Sequence, residues 1–190
     1  MKLKNICFGI VCTVALVGCT DKMDYHEYTN YGKEYVFSDF GRTAAFVNNI
    51  YSYLDYDLLG TTSLASACDE AEMALNYSNV LDYTNGNWTA LNPKSQWNYY
   101  TPIRAANYFL ENGLNLEFSD LILNQDYEAQ MKRYGRYQYE VRLLRAYYYF
   151  LLVRAYGDVP FTTKVLTEAE ANSLERTPAS QVFDFIISEC

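Results

Sequence analysis

The chain has 190 residues, half of them hydrophobic, and a formal net charge of −8 from 15 basic and 23 acidic residues. Such a surface repels phosphate backbones and no basic cluster offsets it, which argues against a nucleic-acid partner. A single histidine, His26, and the absence of a glycine-rich phosphate loop argue against a Ser/His/Asp or Cys/His nucleophile, a zinc centre of the usual composition, and phosphate-loop chemistry.

The N-terminus carries Lys2 and Lys4, then an apolar run from Ile6 to Gly18, then Cys19, with no acid before Asp21. This is the pattern of a bacterial secretory signal. Leu16-Val17-Gly18-Cys19 fits a lipobox, predicting cleavage before Cys19 and acylation of its thiol. The 13-residue apolar run falls short of the roughly 20 residues a spanning helix needs, and two or three acyl chains anchor a protein firmly where one does not. Loss of residues 1–18 removes two lysines and no acid, taking the formal charge from −8 to −10. Cys7 and Cys12 leave with the signal, so Cys68 and Cys190 remain, expected as unpaired, buried thiols rather than a disulfide scaffold.

Residues 19–37 are polar and tyrosine-dotted without a sustained period and read as a tether, with the folded part, 38–190, beginning at Ser38. Ser38 or Asp39 can cap a helix in which Phe40, Ala44, Val47, Tyr51 and Leu54 recur at spacings of four and three. The stretch from Asp55 to Ser95, with Gly60, Asn85-Gly86 and Pro93, reads as a long irregular loop with a helical turn around Ser66 to Leu75. Asn92-Pro93 resembles a helix start; Trp97, Tyr100, Ile103, Asn107 and Leu110 then share a face directed to the core, Pro102 is expected to kink the helix, and Gly113 to end it. A further helix from Asp126 to Tyr156 has one stripe of Tyr137, Val141, Leu144, Tyr148, Leu151 and Ala155 and another of Leu143, Ala146, Phe150 and Val153. That pattern predicts burial among other helices, with Gly157 and Pro160 as stops. A last helix starts at Thr177-Pro178 and runs through Val182, Phe183, Ile186 and Ile187 to Cys190 without a stop signal, so the folded domain is expected to be incomplete at its C-terminus.

Asp69, Glu70 and Glu72 could hold a calcium ion or supply two carboxylates for glycoside hydrolysis, although charged runs are more often solvated faces or caps. Arg142, Arg145 and Arg154 lie on the otherwise apolar long helix and must find acceptors. Loop carbonyls or an acid such as Asp158 or Asp69 are the expected partners. Asn107 is expected to be a structural hydrogen-bonding residue.

The run from Glu140-Val141-Arg142-Leu143-Leu144-Arg145-Ala146-Tyr147-Tyr148-Tyr149-Phe150 through Leu152-Val153-Arg154 to Tyr156-Gly157-Asp158-Val159-Pro160-Phe161 closely resembles the signature of the SusD/RagB family of outer-membrane nutrient-binding lipoproteins. Trp97, Tyr100, Ile103, Ala106-Asn107 and Leu110-Glu111 resemble its preceding helix, and Arg176-Thr177 through Val182, Phe183 and Ile186-Ile187 its following one. The resemblance implies an all-α, SusD-like helical fold with tetratricopeptide-like helix pairs. It also implies a lipid-anchored place on the outer membrane facing the exterior, and a TonB-dependent SusC-like transporter as partner. The implied function is capture of an oligosaccharide or other nutrient without catalysis or cofactor. A surface glycosidase and a helical protein-binding scaffold are the alternatives. Sugar capture uses aromatic faces with amides around them, and the loop offers Tyr77, Tyr83, Asn85, Asn87 and Trp88. The same rings could instead pack the loop onto the helices.

Overall fold

The computed structural model describes residues 32–54, 64–68, 70–74, 80–91, 93 and 95–190. The signal, Cys19, most of the tether, Asp69 and Tyr77 lie outside them. The folded unit spans Lys33–Cys190, starting before the boundary at 38 that the sequence suggests. Helix α1 (Lys33–Phe37) ends a polar stretch and buries one residue, Phe37, whose ring lies against Phe46, Tyr108 and Phe109.

Helix α2 (Phe40–Tyr51) begins where expected. Asp39 is extended and its carboxylate accepts from the Arg42 amide at 2.9 Å, satisfying a donor that the helix itself cannot. Thr43, Ala44, Val47 and Ile50 form its buried face.

The irregular region differs from the expected helical turn. Ala67–Cys68 (β1) and Ala71–Glu72 (β2) pair antiparallel, with Ala67 opposite Glu72 and Cys68 opposite Ala71. Leu64, Ala67, Cys68, Ala71 and Leu75 do recur at helical spacing, but three of the five are small side chains that offer little apolar surface to hold a helix face. Cys68 and Cys190 are unpaired as expected but exposed rather than buried. Helix α3 (Leu81–Thr84) follows and turns through Gly86, whose φ of 79° is left-handed and suits a residue without a Cβ.

Residues 93, 95 and 96 are not helical, which corrects the predicted start at Pro93. A 3₁₀ turn, Trp97–Tyr99, leads into α4 (Tyr100–Asn112). Pro102 therefore falls in the first α-helical turn, where a missing amide costs least.

Helix α5 (Tyr127–Tyr156) has 30 residues and, at 1.5 Å per residue, is about 45 Å long. Helices α2 and α4 pack on it, as does α7 (Ala179–Glu189). They leave part of its surface open, although Ala146 and Val153 of the second stripe are buried. Tyr137, Val141, Leu144, Tyr148 and Leu151 are buried, but Leu143 is 53% exposed and Phe150 36%, so the expected all-round burial does not hold. Gly157 ends α5 at φ 70°, ψ −116°, a region where a Cβ is strained. Val159–Pro160 (β3) then pairs antiparallel with Arg176–Thr177 (β4). Between them lies α6 (Glu168–Ser173), with a capping box formed by Thr167 and Glu170.

Part of the tyrosine richness has a structural reason. Tyr134 donates its hydroxyl to the Gly113 carbonyl at 2.7 Å and accepts from the Leu116 amide at 2.9 Å, and the buried Tyr148 donates to the Ile50 carbonyl. Each ring fills the core while its hydroxyl ties down a helix end or a loop.

Candidate functional site

Two places combine exposed aromatic surface with polar groups. The first is the turn after α3. The Asn85 amide donates to the Leu81 carbonyl at 2.9 Å, the Trp88 amide to the Asp82 carbonyl at 3.1 Å, and the Asn87 amide to Asn85 Oδ1 at 3.1 Å. This closed turn brings together Tyr83, Asn85, Asn87 and Trp88, four of the residues singled out in the sequence. The Tyr83 and Trp88 rings meet edge to face, with centroids 4.9 Å apart at 67°. Trp88 remains 57% exposed, so the contact with Tyr83 leaves much of the indole open to solvent.

The second is a groove of about 320 Å³ between α4 and the segment from Pro160 to Leu174. Trp97 stands at its end. Helical spacing suggested a core residue, but Trp97 is 39% exposed, because the 3₁₀ turn changes the angular phase of residues 97–99 relative to α4. Its indole lies flat on Tyr156, 3.9 Å away at 7°. Tyr156 Oη accepts from the Gln96 amide at 2.6 Å and Tyr100 donates its hydroxyl to the Pro160 carbonyl at 2.6 Å. Both bonds fix the rings around Trp97.

Behind the groove lies a polar network. Asn107 Nδ2 donates to the Thr162 and Lys164 carbonyls, both at 3.2 Å, and Asn107 Oδ1 accepts from Arg145 Nη1 at 2.8 Å. Arg145 Nη2 also reaches Glu189 at 2.7 Å, and Arg142 pairs with the same carboxylate at 3.1 Å. Asn107 is thus the structural residue expected, whereas the acid serving Arg142 and Arg145 is Glu189 rather than Asp158, and Asp69 lies outside the described residues. Asp158 caps α7 instead, its Oδ1 accepting from the Ala179 amide at 2.8 Å. Arg154 is exposed, its guanidinium 6.0 Å from the Phe150 ring centre. Tyr149 donates to the Thr162 carbonyl at 2.7 Å, and burial pushes its phenol up to about 12, so it is a neutral donor at physiological pH.

Sequence reasoning missed Arg104, Leu166 and Leu174 as groove residues. The Thr167-x-x-Glu170 capping box was a usable sign of a further helix here. Glu70 and Glu72 are exposed, and no group of three or more metal-ligating side chains occurs among the described residues.

Residues 24–190 match the model of the SusD-like family described as starch-binding and associating with the outer membrane. No curated protein matches the chain in sequence. Solved structures similar to it include a SusD-like protein from Bacteroides fragilis, at 24% identity and TM-score 0.57 over 81% of this chain and 29% of that one. A SusD superfamily protein from Bacteroides thetaiotaomicron is similar at 23% identity and TM-score 0.58 over 80% of this chain and 34% of that one. A laminarin-binding SusD-like protein is similar at 21% identity and TM-score 0.56 over 78% and 32%. The chain spans less than two thirds of the length of each, and the shared feature is the mostly helical fold. The match to the family model over most of the sequence, together with that fold, makes this chain a member of the SusD-like family.

Proposed function

We propose that this chain is a non-catalytic, lipid-anchored protein that captures a glycan outside the outer membrane and passes it to a TonB-dependent SusC-like transporter. Family membership supports a carbohydrate ligand. The observation that carries the site is the turn Tyr83–Trp88, which holds a largely exposed indole beside a second ring and the amides of Asn85 and Asn87. An indole face stacks on the C–H face of a pyranose while amides take its hydroxyls. Tyr77 belongs to the same proposed site by its place in the sequence.

Trp88→Ala is expected to weaken binding of laminarin, used as the first glycan of a panel, by about 1–3 kcal/mol, with stability changed by less than about 0.5 kcal/mol. Calorimetric titration beside thermal melts of both forms reads both effects. Unchanged affinity with a clear loss of stability would make the turn a packing element. Hydrolysis of labelled oligosaccharide by the wild type would instead favour a glycosidase.

The anchor is tested separately. Cys19→Ala is expected to abolish incorporation of a clickable fatty acid and release the chain from the membrane fraction, as the lipobox Leu16–Cys19 requires. Persistent labelling of the variant would remove Cys19 from this role.

A further inference from the structure

The groove beside α4 does not have the chemistry of a sugar site. Its uncharged polar side chains are already engaged by the protein: Asn107 uses its oxygen on Arg145 and its nitrogen on two carbonyls, Tyr100 donates to Pro160, and Thr162 Oγ1 accepts from the Lys164 amide. A glycan placed here could use the donors of Arg104 and Lys164 but would bury its other hydroxyls against Ile103, Leu166, Ala171 and Leu174 at the cost of their desolvation.

The charge of the groove is also opposite to that of the molecule. No acidic residue lines it, and its two charged lining residues are Arg104 and Lys164, on a chain whose formal net charge is −8. Arg104 Nη1 donates to the Leu166 carbonyl at 2.8 Å, which ties the guanidinium to the facing wall of the groove, and it has no carboxylate partner among the described residues. Lys164 stands on the facing segment, near enough to Glu170 to help lower that carboxyl, although the Thr167 hydrogen bonds lower it more.

We propose that this groove binds an aliphatic monocarboxylate, a fatty-acid-like ligand, with its chain along Ile103, Leu166 and Leu174 and its carboxylate at Arg104 and Lys164. The volume, about 320 Å³, lies at the lower end of ordinary small-ligand pockets. The apolar walls take the chain by the hydrophobic effect, and the guanidinium offers a fork of donors to the carboxylate. This site is separate from the Tyr83–Trp88 turn, so either can fail without the other.

The test is isothermal titration of the full chain with octanoate, 1-octanol, trileucine and laminarihexaose. Saturable one-to-one binding of octanoate is expected, with 1-octanol at least tenfold weaker. Arg104→Met should weaken octanoate at least tenfold and leave 1-octanol unchanged. Ala171→Trp, which fills the groove from an exposed position, should abolish octanoate binding and leave any laminarihexaose binding at the Trp88 turn intact. Circular dichroism melts confirm that both variants fold. Octanoate binding that is absent, or insensitive to both variants, overturns the proposal. So does tighter binding of trileucine, or laminarihexaose binding that Ala171→Trp removes.

Discussion

Arg145→Ala is expected to destabilise the folded unit by about 3–5 kcal/mol, the range for removing one partner of a buried ion pair. Arg145 is 6% exposed, and its two terminal nitrogens reach Asn107 at 2.8 Å and Glu189 at 2.7 Å. Its guanidinium also lies 5.2 Å from the Phe185 ring centre. Without it, the Glu189 carboxylate, whose side chain is 9% exposed, keeps only Arg142, whose side chain is 40% exposed. Asn107 Oδ1 loses its donor at the same time, and Asn107 holds the Thr162–Lys164 backbone. The damage therefore spreads from α5 to both α7 and the groove wall. Arg145 Nε has no partner among the described residues, so the network there is not perfectly satisfied, and replacing the pair by apolar residues should recover much of the loss. Chemical denaturation of Arg145→Ala and of Arg145→Met combined with Glu189→Met distinguishes the cases. A single-variant loss below about 1 kcal/mol would show that water reaches the pair.

That network also shows where a single sequence stops being informative. The arginines on an apolar helix demanded acceptors, and this much followed from desolvation alone. Their acid, Glu189, lies 44 residues beyond Arg145 on a helix whose direction of return along α5 depends on the short ladder between Val159–Pro160 and Arg176–Thr177. Two-residue strands have no alternation to read. The same limit explains the hairpin at Ala67–Glu72. Helices α2, α4, α5 and α7 were legible because each repeats apolar residues at three and four over three or more turns. Which apolar residues of α5 stay exposed was not legible, since Leu144 and Leu143 differ only in which neighbours the chain brings to them. Trp97 was misplaced for a local reason, the 3₁₀ phase at 97–99. In the candidate site, the Asn85-Gly86 turn was legible from its residue types, while the groove was not, because its walls come from segments 55–62 residues apart that Asn107, Tyr100 and Arg104 tie together.

Phe109→Ala should be comparably severe, at about 3–5 kcal/mol, the range for truncating a fully buried aromatic residue. Phe109 has no exposed surface, and its ring meets Phe37, Phe46 and Tyr137 with centroids 6.2, 6.4 and 6.5 Å away. It thereby joins α1, α2, α4 and α5 at one point. The ring also fills the space beside the C-cap of α4: a Cβ added at Gly113 would lie 2.6 Å from Phe109 Cδ2, well inside van der Waals contact. Collapse around the missing ring is hindered because four elements already meet there, so most of the cavity should persist and its cost be felt in full. Phe183 supplies the control. It lies on the apolar pattern of α7 and reads much like Phe109 in the sequence, yet it is 40% exposed, and its ring neighbour on α5 is Phe150, itself partly exposed, 6.4 Å away. Phe183→Ala should therefore change stability by no more than about 0.5 kcal/mol. Urea denaturation of the two variants measures the contrast. Equal losses would mean that the exposed side of α5 and α7 contributes as much to the fold as the junction around Phe109, and that its apolar side chains are packed in solution.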